Sequence, residues 1–189
     1  AQDAGVDAVV AEGFEAGGHN GREETTTLCL IPSVSQAVEI PVIAAGGIGS
    51  GKAMLAARIL GAEGVQIGSR FIATHESSAH EAFKSMILNA EEGDTKLTLK
   101  ELTPVRLLNN PFYQEIVRHY ENNASPEELA ELLGRGRAKK GMFEGDLEHG
   151  ELEVGQVSSM IRTIQPAGDV VREIWQEYQD ALNNLQRLT

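Results

Sequence analysis

Three short apolar runs, each closing on glycine, constrain this chain's fold most. They are Val6–Ala11, Pro41–Ala45 and Gly64–Gly68. Each is strand length rather than helix length, and none alternates polar with apolar. Such strands are buried on both faces, as in a parallel sheet covered by helices. The intervening stretches supply the helices. Leu28 to Glu39 reads as one, with Pro32 tolerable near its first turn, and Lys52 to Leu60 reads as another, closed by Gly61. Strand and helix therefore alternate, which is the α/β pattern.

In α/β folds the functional groups collect at the carboxyl ends of the strands. Here those ends are glycine-rich. The first strand leads into Glu15-Ala16-Gly17-Gly18-His19-Asn20-Gly21, the second into Gly46-Gly47-Ile48-Gly49-Ser50-Gly51, and the third into Gly68-Ser69-Arg70. Bare backbone amides between a strand and a helix can bind phosphate oxygens, and the helix dipole favours the anion. Gly46-Gly47 and Gly68-Ser69 lie one strand–helix unit apart, so both can serve one phosphate, the arrangement of a barrel site after strands seven and eight. A tight turn without a ligand is the other reading of the Gly46 loop. The order of glycines fits neither G-x-G-x-x-G nor a P-loop.

His19 lies one strand upstream of that site. Its glycine neighbours would let a flat ligand rest on the main chain, and its strand-end position makes it the candidate catalytic residue. His75, His80, His119 and His149 form no i, i+4 pair and no Cys/His cluster, so no metal site is expected. No Ser sits in a G-x-S-x-G turn.

From about residue 79 the pattern becomes helical and more polar. Ser125-Pro126-Glu127-Glu128 is a helix start, with a capping Ser and Pro at the first helical position. Val170, Val171, Ile174, Trp175, Tyr178, Leu182 and Leu185 repeat at helical spacing and predict an apolar stripe packing on the domain or at an interface. The net charge of −12 argues against a nucleic-acid partner. The run Arg135-Gly136-Arg137-Ala138-Lys139-Lys140 is the local exception, either solvated charge at a helix end or a docking spot for an anion or acidic partner. No apolar run approaches the roughly 18 residues that span a bilayer. The single cysteine, Cys29, permits no intrachain disulfide and fits a reducing cytoplasm.

Three segments together carry a resemblance: Glu12-Gly13-Phe14-Glu15-Ala16-Gly17-Gly18-His19-Asn20-Gly21, Pro41-Val42-Ile43-Ala44-Ala45-Gly46-Gly47-Ile48, and Val65-Gln66-Ile67-Gly68-Ser69-Arg70-Phe71. In order and spacing the chain resembles the FMN-dependent nitronate monooxygenase / flavin enoyl-ACP reductase superfamily. The resemblance implies a TIM barrel with FMN as cofactor. It implies Glu12, Gly17, Gly18, Ala45, Gly46, Gly47, Gln66, Gly68 and Ser69 as FMN-binding residues and His19 as the group facing flavin and substrate. It further implies residues 1–78 as about strands 6–8 of the barrel, 79–153 as a mostly helical cap, and 154–189 as C-terminal helices packing back. Five strand–helix units, on the order of 150 residues at typical barrel size, are then expected in an upstream segment or another chain.

The superfamily has two chemistries. One branch passes hydride from NADH or NADPH through FMN to a 2-enoyl thioester on acyl carrier protein. The other oxidises alkyl nitronates with oxygen. Glu144-Gly145-Asp146-Leu147-Glu148-His149-Gly150 leading to Gly155-Gln156 resembles the reductase branch more, and the basic run at Arg135 to Lys140 would suit an acidic carrier protein. A small-molecule substrate, a homodimer, and a non-catalytic flavin- or phosphate-binding module remain the alternatives to be weighed.

Overall fold

The computed structural model describes residues 1–187. Its first layer is a parallel sheet of three strands, β1 (Val9–Glu12), β3 (Val42–Ala45) and β4 (Gly64–Gln66), in the order β1-β3-β4. The register aligns Val9 with Val42 and Ile43 with Gly64. Between the strands run α1 (Thr27–Ala37) and α2 (Gly51–Ile59). Ala11, Ile31, Val42, Ala44, Ile48, Ala57 and Ala62 form the core they share.

The strand–helix alternation expected from sequence is present, with shifted bounds. The first strand begins at Val9 rather than Val6, and Val6 is exposed. Pro32 lies inside α1 rather than in its first turn. It gives up the hydrogen bond to the carbonyl of Leu28.

A second sheet was not legible in the pattern. Strand β2 (Gly18–His19) pairs antiparallel with β6 (Val105–Leu108), and β6 pairs with β5 (Thr95–Thr98). Residues 79–153 therefore carry a hairpin as well as helices α4 (Glu81–Asn89), α5 (Pro111–Glu121), α6 (Pro126–Leu133) and α7 (Arg137–Met142). All four residues of β6 are buried. Leu107 packs with Phe112, Ile116 and Leu129, and Leu108 packs with Phe83, Ile87 and Leu152. A four-residue strand sunk between two apolar clusters has no polar face, so it leaves no alternation to read. The capping box at Ser125 and Glu128 forms as the sequence predicts.

The long last helix, α8 (Ala167–Gln186), packs on α2. A β-carbon on Gly51 would lie 2.2 Å from the backbone nitrogen of Tyr178, so only glycine allows this crossing. The stripe on α8 is divided. Val170 and Ile174 are buried, whereas Val171 and Trp175 stay half exposed, with Trp175 stacked on Tyr178 at 5.3 Å between ring centres. Among the described residues no helix is long and apolar enough to cross a membrane.

Candidate functional site

The parallel register brings Glu12, Ala45 and Gln66 into one row at the carboxyl ends of the strands, Glu12 opposite Ala45 and Ala45 opposite Gln66. Above this row opens a cavity of about 300 Å3. Its wall includes Glu12, Gly17, Ala45, Gly46, Gly47, Gln66, Gly68 and Ser69, all expected from sequence. Gly18, the ninth, lies outside that wall, buried in β2.

The floor is built from backbone. Gly46 and Gly47 take positive φ, +83° and +68°. A β-carbon on Gly46 would meet the carbonyl oxygen of Gly13 at 2.5 Å, so glycine is required twice over. Among the described residues, no group of this chain takes up the amides of Gly47 and Ile48. Such orphan donors beside a cavity call for an acceptor from outside. Gly68 is the opposite case. A β-carbon there would meet nothing within 4 Å, so its bareness leaves room in the cavity. An oxyanion such as a phosphate fits the donors, and the volume falls within the usual range for small-molecule sites, roughly 300–1,000 Å3.

The glycine turn does not itself open α2. The helix begins at Gly51, beyond the glycine turn, and Ser50 caps it by accepting from the amide of Ala53. The Gly51 amide donates to the carboxylate of Glu177. The loop residues Gly46, Gly47 and Ile48 line the cavity, and Gly51 does not.

The turn carrying His19 is held on three sides. Glu15 accepts from the amide of Thr27 at 3.0 Å and from its hydroxyl at 2.9 Å, at the start of α1. The Arg106 guanidinium is buried, stacks 4.5 Å from the Phe14 ring centre and donates to the Phe14 carbonyl at 2.8 Å. Its burial pulls its pKa down, opposed by the charges of Glu15 and Glu24. The Asn20 side chain folds back to donate to the carbonyls of Ala16 and Gly18. His19 itself is exposed and is not part of the cavity wall, although Gly17, two residues before it, is.

The segment around Val154 closes the far side. Gly155 donates to the Ser69 hydroxyl at 2.8 Å, and Gln156 donates to the Glu15 carbonyl at 2.9 Å. A β-carbon on Gly17 would fall 2.3 Å from the carbonyl carbon of Val154. The bare face of Gly17 therefore meets protein, where the sequence suggested a flat ligand. Glu15, Glu153, Val154 and Val157 also stand in the wall, and sequence reasoning missed them as site residues. Glu15 stood inside the glycine motif, but Glu153 is brought in from the far end of the chain, which spacing along the sequence does not disclose. Burial pushes the carboxyls of Glu12 and Glu153 above the ordinary glutamate range, and the charge of His19 pulls Glu153 partly back.

The basic run at Arg135 to Lys140 is mostly committed to the fold. Arg137 donates to the carbonyls of Leu132, Leu133 and His149 and lies 4.3 Å from the Phe112 ring centre. Lys139 pairs with Glu144 and Lys140 with Asp146. Asp146 also accepts from the amides of Glu148 and His149, and these bonds hold its carboxyl far below the ordinary range. No group of His, Cys, Asp and Glu side chains among the described residues could hold a metal ion.

A family model described as nitronate monooxygenase matches residues 1–177. A probable nitronate monooxygenase of Staphylococcus haemolyticus is 39% identical over 163 residues, covering 81% of this chain and 45% of that protein. FabK from Thermotoga maritima superposes with a TM-score of 0.93 at 42% identity, over 100% of this chain and 59% of that one. Nitroalkane oxidase from Streptomyces ansochromogenes superposes with a TM-score of 0.77 at 34% identity, over 97% of this chain and 55% of that one. The chain thus spans about half the length of the curated relatives it matches.

Proposed function

The chain belongs to the nitronate monooxygenase family, and from that premise we propose that it forms the phosphate-holding part of an FMN-dependent enoyl-ACP reductase. The observation that carries the cofactor is the pair of orphan amides at Gly47 and Ile48, in the wall of a cavity that Gly68 leaves open. They would hold the FMN phosphate, with Ser69 opposite. Gln66 and Glu12, at the ends of neighbouring strands, would border the flavin.

Bound there, FMN would supply the redox centre through which a hydride from NADH or NADPH passes. The chain's own work is then positional. His19 would donate a hydrogen bond to the thioester oxygen as negative charge develops on it, or deliver the proton that completes the saturated thioester. Val154 and Val157 keep one wall apolar, which strengthens each polar contact inside.

Two observations support the reductase over the monooxygenase. The likeness to FabK, a flavin enoyl-ACP reductase, is greater than that to the nitroalkane oxidase in both identity and superposition. The turn at Asp146 that leads to Gly155-Gln156 resembles the reductase branch too. The curated relatives named probable nitronate monooxygenase favour the second reading. In that reading His19 would hold the nitro group or take a proton beside it. The proposed setting is the cytoplasm, where the exposed Cys29 stays a free thiol.

The test is anaerobic. The protein carrying this sequence, loaded with FMN, is mixed with NADH or NADPH and the flavin absorbance followed. Bleaching, then recovery on adding a 2-enoyl thioester of acyl carrier protein, is the expected result. Flavin that stays oxidised with both nicotinamides but bleaches with an alkyl nitronate would establish the monooxygenase. Flavin that binds and reacts with neither would leave only a binding module.

A further inference from the structure

We propose that Thr27 is a positioning residue for the phosphate loop: its hydroxyl, held between the Glu15 carboxylate and the Gly46 carbonyl, fixes the Gly46–Gly47 peptide so that the Gly47 amide stays turned to the cavity, a role that rests on reading this loop as the FMN-phosphate site.

The need for a clamp comes from the two glycines. Gly46 and Gly47 both take positive φ, +83° and +68°. Glycine reaches positive and negative φ about equally well, so a peptide between two glycines can turn over at little cost. This peptide, like every described one, is trans, and in a trans peptide the carbonyl and the following N–H point to opposite sides. Turning it over would exchange the Gly47 donor for the Gly46 carbonyl, which repels an anion. An outside hold on one of these two groups selects the binding form.

Thr27 supplies that hold from the start of α1. Its hydroxyl lies 2.9 Å from the Gly46 carbonyl oxygen and 3.4 Å from that of Ala45. It also lies 2.9 Å from Oε2 of Glu15, and that oxygen accepts from the Thr27 amide at 3.0 Å. The carbonyls can only accept, so the hydroxyl serves them as donor. Thr27 stands outside the cavity wall, whereas Gly46, Gly47 and Ile48 stand in it. Holding the Gly46 carbonyl therefore directs the Gly47 N–H away from Thr27. The packing leaves the hydroxyl little freedom. A β-carbon on Gly13 would fall 2.0 Å from it, and one on Gly46 would fall 2.5 Å from the Gly13 carbonyl oxygen. A β-carbon on Gly47 would come 3.3 Å from that of Glu15, so the residue that holds Thr27 also backs the loop. Gly13 is bare to make room for this clamp.

Thr27→Ser keeps the hydroxyl and Thr27→Ala lacks it, so the two variants differ in that group alone. In the flavin-free protein carrying this sequence, the isotope-labelled Gly47 amide should give one NMR signal in wild type and in Thr27→Ser. In Thr27→Ala it should broaden or double as the peptide turns over. The second readout is affinity for FMN against riboflavin, the same ring system without the phosphate, measured by fluorescence quenching. Wild type and Thr27→Ser should prefer FMN. Thr27→Ala should lose about tenfold of that preference, the effect of one hydrogen bond, with riboflavin binding unchanged. Thr27→Cys, which replaces the hydroxyl with a much weaker donor, should behave as Thr27→Ala and carries the test should the alanine variant not fold. A single, unshifted Gly47 signal in Thr27→Ala would overturn the proposal. So would an equal loss of FMN and riboflavin affinity, which marks general damage to the cavity. A Gly47 signal that doubles in Thr27→Ala, with no wild-type preference for FMN, would leave the clamp standing and remove the phosphate from this loop instead.

Discussion

The backbone amide of Gly51 donates to the carboxylate of Glu177 at 2.8 Å, closing the first turn of one helix with a side chain 126 residues away. The bond spans a close crossing, where α8 lies against the first residue of α2. A carboxylate here meets both a free amide and the positive end of the helix dipole. Glu177→Ala should therefore cost about 1–2 kcal/mol of stability, as loss of a charge-assisted bond does. FMN affinity should not change, because the phosphate is assigned to the loop amides upstream. Denaturant unfolding and FMN titration on one preparation separate the two, and a loss of FMN affinity with stability intact would return the phosphate to the α2 end.

Gly68 provides the converse test. Its φ of −104° is open to any residue, and a β-carbon there meets no protein atom within 4 Å. Gly68→Val should leave the melting temperature of the flavin-free protein unchanged. It should weaken FMN binding by at least about tenfold, since the branched side chain takes cavity volume and desolvation would have to be met elsewhere. Fluorescence quenching of added FMN measures the affinity directly. Unchanged affinity would mean that the flavin lies away from the third strand end.

The parallel sheet and half of the cavity wall were legible because they depend on local signals. Each strand end is marked by glycines within a few residues, and parallel pairing places successive strand ends side by side without further information. Glu12, Ala45 and Gln66 fall in one row for that reason alone. What escaped the sequence is what the chain returns from afar. Arg106 reaches the Phe14 carbonyl from 92 residues away, and Gly155 reaches Ser69 across 86. In a run such as Val105-Arg106-Leu107-Leu108 the arginine looks like an interruption, not like the buried support of the turn that carries His19. The glycines were found for their bareness, yet at Gly17 and Gly18 that bareness admits Val154 and Glu153. A sequence records that a backbone must be approached closely, not by what.

Glu151 ties stability to pH. It is buried, and burial first, then the charge of Glu153, pushes its carboxyl up to about 7, with Arg137 opposing. The folded chain thus holds this proton more tightly than the unfolded one, whose carboxyl titrates near the ordinary glutamate value of 4.5. Its contribution is fully present below pH 4.5 and is lost as pH rises through about 7. The span corresponds to roughly 3 kcal/mol. Glu151→Gln, neutral throughout, should be more stable than wild type at pH 8 and nearly equal to it at pH 4.5. Urea unfolding at the two pH values checks this, and a difference of the same size at both would mean that packing, not ionisation, sets it.

His19 is the proposed acid–base group. Its backbone is locked into β2 opposite Val105, and Asn20 donates across the preceding turn, so the ring hangs from a fixed strand two residues from Gly17 of the cavity wall. Removing the ring touches none of the Gly47, Ile48 or Ser69 groups assigned to the phosphate, which lie on the next two strand ends. His19→Ala should therefore retain FMN at the wild-type ratio. Turnover per bound flavin should fall by at least about 100-fold, the scale for a positioned acid–base group. Its ordinary substrate affinity should change little, because a hydrogen bond that strengthens only as charge develops lowers kcat rather than KM. FMN occupancy, kcat and KM measured on one preparation distinguish three outcomes. Loss of rate with flavin retained places the ring on the reacting atoms. Loss of flavin with the rate per flavin unchanged makes His19 a packing residue of the cofactor. Full flavin with normal turnover takes it out of the chemistry and moves the search to the carboxylates, of which Glu153 already stands in the cavity wall.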